Sequence, residues 1–221
     1  MSVSDLIVDP TLELPLSPDP LPKAGSAPRP RWASMPTLAE REQMCGHRGA
    51  VVWFTGLSGS GKTTVARALG RLLHDRGKHS TLLDGDVLRG GLSRGLGFGP
   101  EDRDENIRRF TEVARLFAEA GLVALVSAIS PYVAMRRRAR ERIGADRFVL
   151  VHIATPLSVC EARDVKGLYA RARAGQIRQF TGIDAPYEEP VQPDLRLSPE
   201  DGDPVAHAQH IWDILAARQL L

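Results

Sequence analysis

Between Ala50 and Thr64 the chain reads AVVWFTGLSGSGKTT, a short, mostly apolar run followed at once by three glycines in six residues. Glycine in a regular element costs roughly 0.5–1 kcal/mol relative to alanine. Its density here marks a bend whose backbone must lie bare against something. The spacing Gly56-x4-Gly61-Lys62-Thr63 completes a Walker A pattern, set between a strand-like run and a helix-like one. Each residue type has a physical reason. Glycines let the N–H groups of Gly56, Leu57, Ser58, Gly59, Ser60, Gly61 and Lys62 converge on phosphate oxygens, and the start of the following helix, at Thr63 and Thr64, adds positive potential. Lys62 reaches the β and γ phosphates, and the Thr63 hydroxyl is a candidate magnesium ligand. The spacing does not fit G-x-G-x-x-G, so a dinucleotide site is disfavoured. The loop therefore implies ATP or GTP, and by itself leaves hydrolysis, phosphoryl transfer and plain binding open.

The rest of the chain narrows this. With 221 residues, 43% of them hydrophobic and 25% charged, it fits one large domain, or one domain with a tail. A formal net charge of +2 does not suggest a nucleic-acid binder. Two cysteines, Cys45 and Cys160, make no disulfide framework and favour a reducing compartment. No apolar run approaches the ~18 residues of a membrane span. The N-terminal stretch lacks a basic start and carries Asp5, Asp9, Glu13 and Asp19, unlike a secretory or transit segment. The expected location is cytoplasmic, with no membrane partner.

Residues 1 to about 35 hold seven prolines from Pro10 to Pro30 and are expected to form an extended or disordered arm. A short helix over 36–46 leads on from it. The expected division is an arm over 1–45 and a nucleotide-binding domain over 46–221. Within the domain, strands are expected at AVVWFTG, HSTLLDGD, LVALVSAIS, RFVLVHIA and, more weakly, PDLRLSP. Helical spacing follows the glycine loop, with Val65, Leu69, Leu72 and Leu73 on one face. It recurs from Pro100 to Gly121 with Ile107, Phe110, Val113 and Phe117 inward, and in the C-terminal stretch with Val205, Ile211, Trp212 and Leu215 inward. Alternating strands and helices imply an α/β fold of the P-loop kinase type, a parallel five-stranded sheet with helices on both faces. His207 and His210, lacking acid or cysteine partners, are read as surface residues.

A GTPase would carry a base-reading NKxD element, which is absent, and a motor ATPase would be longer. The segments LDGD, GLGF, EDRDENIRR, ISPY, CEARD, KGLYARARAG and FTGID follow GLSGSGKTT in that order. Together they resemble adenylylsulfate (APS) kinase, from about Gly46 to Leu197. The resemblance implies transfer of the ATP γ-phosphate to the 3′-hydroxyl of adenosine 5′-phosphosulfate, giving PAPS and ADP, with Mg2+ accompanying ATP. It also implies a family that is often dimeric, and ATP sulfurylase as a functional partner. The alternatives are a kinase of another small acceptor, and an inactive nucleotide-binding module regulating an ATP sulfurylase.

Carried over position by position, the resemblance places Asp86 near the acceptor hydroxyl as base or orienter, with Asp84 beside it and able to contact magnesium through water. Arg89 and Arg103 are expected to grip the phosphosulfate, a role that suits the planar guanidinium fork, with Asn106 as a polar contact. Phe98 and Phe180 are expected to sandwich the acceptor's adenine. Arg108 and Arg109 are read as solvated-face residues paired with neighbouring glutamates. Ser130 matches a serine proposed as a phosphorylated intermediate. No adjacent base is visible to activate it, and Ile129 and Ser130 are read instead as acceptor contacts. The stretch from Lys166 to Asp184 reads as a lid, with Lys166 on the transferring phosphate, Arg171 and Arg173 adding charge, and Arg163 helping to hold ATP. The chain departs from the family pattern at Val87, where asparagine is usual. Ala170-Arg171 stands where Lys-Lys is common, and Val133 where arginine is frequent.

Overall fold

Strand β1, Ala50–Thr55, is buried along its whole length, which places it mid-sheet rather than at an edge. The computed structural model describes residues 34–221, so the proline-rich stretch over 1–33 lies outside the described residues. The chain runs α1 (Leu38–Cys45), β1, α2 (Lys62–Asp75), β2 (Ser80–Asp84), α3 (Gly85–Gly90), α4 (Pro100–Glu119), β3 (Val123–Ser127), α5 (Val133–Ile143), β4 (Phe148–Ile153), α6 (Leu157–Arg163), α7 (Leu168–Arg173), β5 (Leu195–Leu197) and α8 (Pro204–Ala217). The five strands pair in the order β2-β3-β1-β4-β5, all parallel. This is the expected P-loop kinase architecture.

Alternation along β1 builds two cores. Ala50, Val52 and Phe54 point to the face covered by α2 and α8, against Val65, Leu69, Leu73, Ile211 and Leu215. Val51 and Trp53 point to the other face, against Ile107, Phe110 and Ala114 of α4 and Met135 and Ala139 of α5. Helix α1 opens with a capping box between Thr37 and Glu40. It is held by the Arg41 side chain donating to Glu119 O at 2.8 Å and by the Gly49 N–H donating to the Glu42 carboxylate at 2.8 Å.

Two expectations for α8 need correction. Asp203 caps the helix by accepting from the N–H groups of Val205 and Ala206, and the inward stripe is His207, Ala208, Ile211 and Leu215. Val205, two residues out of phase with that stripe, is 70% exposed, and His207 is buried rather than at the surface. Helix α5 is an element the sequence pattern did not reveal.

A parallel sheet puts every strand's C-terminal end at one edge, where open α/β sheets bind ligands. Register sharpens this. Phe54 and Asp84 both lie beside Ser127, and Thr55 lies beside His152. The chain segments leaving β1, β2, β3 and β4 therefore start from one row.

Candidate active site

The glycine loop leaves β1 and turns into α2. At Gly56, with φ of 146°, a Cβ would meet Ile153 O at 2.5 Å, so only glycine lets the loop cross β4 this closely. Gly61, with φ of 105°, is the N-cap of α2. Lys62 is buried, and its Nζ donates to Gly56 O at 3.0 Å and Leu57 O at 2.7 Å. Burial pulls its ammonium down to about 8, against the opposing pull of Cys160 and Asp86. The Thr63 hydroxyl sits 2.9 Å from that of Ser127, and the buried Ser60 Oγ has no partner among the described residues. Thr64 faces outward. The geometry is that of an anion cradle: a lysine folded back on loop carbonyls, at the start of a helix.

β2 delivers two carboxylates to the same edge. Asp84 is buried and caps α3 by accepting from the Asp86 N–H at 2.9 Å. Asp86 is exposed and forms an ion pair with Lys166 from the segment between α6 and α7. Asp86, Lys166 and Asp84 all act electrostatically on Lys62. The four groups thus share one field. Among the described residues, no group of three histidine, cysteine or acidic side chains is placed to hold a metal ion on its own.

The side expected to face the acceptor is joined through Arg103. Its guanidinium donates to Phe98 O at 2.7 Å, to the Thr181 hydroxyl at 2.5 Å and to Gln179 O. Three of its five N–H groups are thereby engaged by the protein, and two remain. Arg103 ties the Phe98 loop to the Phe180 loop, a role its position in sequence did not suggest. Arg89 lies over the Phe98 ring at 4.4 Å and donates to Gly97 O at 3.1 Å. Phe98 is 56% exposed. Asn106 is buried on α4, and its Oδ1 has no hydrogen-bond partner among the described residues. Arg108 and Arg109 pair with Glu105, as read from their spacing.

Tyr169, in the first turn of α7, closes the circuit. Its ring packs edge-on against Phe180 with centroids 5.0 Å apart, and its hydroxyl donates to Ser58 O at 2.9 Å. Contacts thus run from the glycine loop through Tyr169 and Phe180 to Arg103, Phe98 and Arg89. Asp164 caps α7 by accepting from the N–H groups of Tyr169 and Ala170 at 3.0 Å. Arg163 ends α6 exposed on the surface. After β3, Ile129 O accepts from the Thr55 hydroxyl at 2.7 Å, and the buried Ser130 Oγ accepts from the Trp53 indole N–H at 3.1 Å. Tyr169 and Trp53 carry no separate signal in the sequence: one lies within the lid motif and the other within an apolar strand.

Comparisons with known proteins give the family. The family model described as adenylylsulphate kinase matches residues 48–198. The APS kinase CysC of Mycobacterium tuberculosis, solved in complex with AMPPNP and APS, is 51% identical over 77% of this chain and 99% of its own, with a TM-score of 0.74. The crystal structure of APE1195 is 37% identical over 78% of this chain and 98% of its own, with a TM-score of 0.71. A hexameric APS kinase from Thiobacillus denitrificans is 34% identical over 82% of this chain and 30% of its own, with a TM-score of 0.60. The chain belongs to the adenylylsulphate kinase family.

Proposed function

We propose that the chain transfers the γ-phosphate of ATP to the 3′-hydroxyl of adenosine 5′-phosphosulfate, producing ADP and PAPS. One observation supports the reading: Asp86, ion-paired with Lys166, acts electrostatically both on Lys62 of the glycine loop and on Arg89 of the arginine-bearing side. Phosphoryl transfer asks mainly for positioning and charge stabilisation, which is what these residue types supply.

In this reading Gly56–Thr64 and Arg163 hold ATP. Arg89, Arg103, Asn106, Ile129 and Ser130 border the phosphosulfate side, and Phe98 and Phe180 face the adenine. Lys166 must leave Asp86 as the site fills, exchanging a carboxylate for the transferring phosphate. Asp86 then orients the 3′-hydroxyl and takes its proton as the new O–P bond forms. The bond from the γ phosphorus to the bridging oxygen breaks in line, and ADP leaves with the electron pair. Lys62 offsets charge growing on that bridging oxygen. The hydroxyl of Thr63 and, through water, the carboxylate of Asp84 are the groups that would hold Mg2+, whose hard oxygen preference they suit. Bound there with ATP, the ion would supply charge neutralisation on the phosphates. The Ser130 hydroxyl is buried and engaged by Trp53, which favours direct transfer over a covalent stop. The two free thiols fit a cytoplasmic setting, and an ATP sulfurylase, as the source of APS, is the proposed functional partner.

The test is a coupled assay with ATP, Mg2+ and micromolar APS, reading ADP and PAPS together. Stoichiometric formation of both supports the reading, and a folded chain without turnover would overturn it.

A further inference from the structure

Ser130 is one of four described non-glycine residues with positive φ, at 41°. Left-handed backbone is uncommon for a residue with a side chain and persists where its surroundings over-determine it. The surroundings here are unusual. Arg136, buried within α5, sends one guanidinium nitrogen to Ser130 O at 2.5 Å and the other to Glu188 O at 2.6 Å. The Glu188 N–H donates to Pro131 O at 2.8 Å, and its carboxylate accepts from the Val133 N–H at 2.7 Å. Residues 187–188 therefore form a strap across Ser130–Val133, and Arg136 is the bolt through both.

Tyr187 completes the strap. Its ring lies under the Arg136 guanidinium, 5.8 Å away, and beside the His152 ring at 6.0 Å. Its hydroxyl is 3.1 Å from that of Thr55. Thr55 has one hydroxyl proton and donates it to Ile129 O, so the phenol must donate to Thr55. Burial pushes the phenol up to about 12, which keeps that proton in place. A single relay thus runs Tyr187 to Thr55 to Ile129 O, while Arg136 holds the next carbonyl along.

We propose that Arg136 and Tyr187 are positioning residues for the acceptor: they hold the Ile129–Ser130 backbone in its left-handed turn without touching substrate. This rests on the reading above, in which that turn borders the acceptor and not ATP. The consequence is selective. Loosening the turn should weaken acceptor binding and leave the glycine loop, tied to Tyr169 and α2, unaffected. A merely structural role would instead lower the active fraction and leave both Michaelis constants unchanged.

The experiment measures both Michaelis constants in wild type, Arg136→Lys and Tyr187→Phe, with thermal melts alongside. Lysine keeps the charge but replaces the planar fork, whose two nitrogens reach Ser130 O and Glu188 O separately, with a single ammonium nitrogen, and phenylalanine removes one hydroxyl only. The expected result is an APS KM raised about tenfold in Arg136→Lys and three- to tenfold in Tyr187→Phe, with ATP KM within twofold of wild type. Should Arg136→Lys not fold, Tyr187→Phe alone decides. APS KM unchanged within twofold in the folded variants, or ATP KM raised equally, would overturn the proposal. Absence of APS turnover in the wild type would overturn the functional reading, and this inference with it.

Discussion

Truncating Phe98 to alanine separates recognition from folding. The ring is 56% exposed and its main internal neighbour is the Arg89 guanidinium at 4.4 Å. An exposed cation–π contact is worth about 0.5–1 kcal/mol, so the loss of stability should stay below about 1 kcal/mol and the melting temperature should fall by no more than roughly 4 °C. Arg89 keeps its bond to Gly97 O, and Arg103 keeps its bond to the Phe98 carbonyl, which the substitution leaves in place. In the proposed reading the substitution removes a stacking face for the acceptor's base, worth ~1–3 kcal/mol in base–aromatic contacts. At about 1.4 kcal/mol per decade, APS KM should rise roughly 5- to 150-fold. The assay titrates APS at saturating ATP, then ATP at saturating APS. An APS KM within twofold of wild type, in a variant that melts normally, would refute the stacking assignment. An equal rise in ATP KM would do the same, by showing that the loop serves the donor.

Other expectations follow from the charged groups. Lys62→Ala should lower kcat by about 10²–10³-fold, the usual effect of removing one donor aimed at developing negative charge, and steady-state kinetics would show it. The Lys62 ammonium sits at about 8 in the free chain because burial opposes its charge. ATP phosphates favour the charged form and raise that value, so binding at pH 8 should take up protons and affinity should fall as pH rises from 7 to 9. Calorimetry in buffers of different ionisation enthalpy tests this, and flat affinity without proton uptake would contradict it. Asp194, a tenth exposed, takes the Leu150 N–H at 2.6 Å and the guanidinium groups of Arg140 and Arg218. Burial raises its carboxyl, but those donors outweigh burial and hold it below the usual carboxylate range. Its stabilisation is therefore complete above about pH 4 and lost as pH falls through the lowered value. Asp194→Ala should cost about 1–3 kcal/mol, chiefly by leaving the Leu150 N–H without its acceptor while the partly exposed Arg140 and Arg218 regain water, read from urea unfolding at pH 7.

Much of this molecule is legible from local pattern. Gly56 to Thr64 combine strand, turn and helix signals that agree, and the strands are short apolar runs whose burial the sheet confirms. Helix α5 was not legible, because five arginines among its eleven residues mask the few inward positions, Met135, Arg136 and Ala139. The α3 and α6 helices, at six and seven residues, are too short to show a period. The phase of α8 depends on where Asp203 caps it, which an apolar count does not reveal. Non-local bonds were the hardest. The sequence marks Arg103 as a basic residue on a helix, yet it is fixed by Gln179 and Thr181, 76 and 78 residues away. Arg136 likewise finds Glu188 52 residues on.

In the proposed reaction the phosphate cradle and the arginine- and ring-bearing loops form one transfer site at Asp86. Its most direct test follows labelled γ-phosphate from ATP in the presence of Mg2+ and APS, and then treats the product with a 3′-nucleotidase. Label should appear on PAPS, be released by that enzyme, and be nearly abolished in Asp86→Ala although ATP and APS still bind. Label that stays in ATP with folded chain, that resists 3′-specific release, or that transfers undiminished in Asp86→Ala would contradict it.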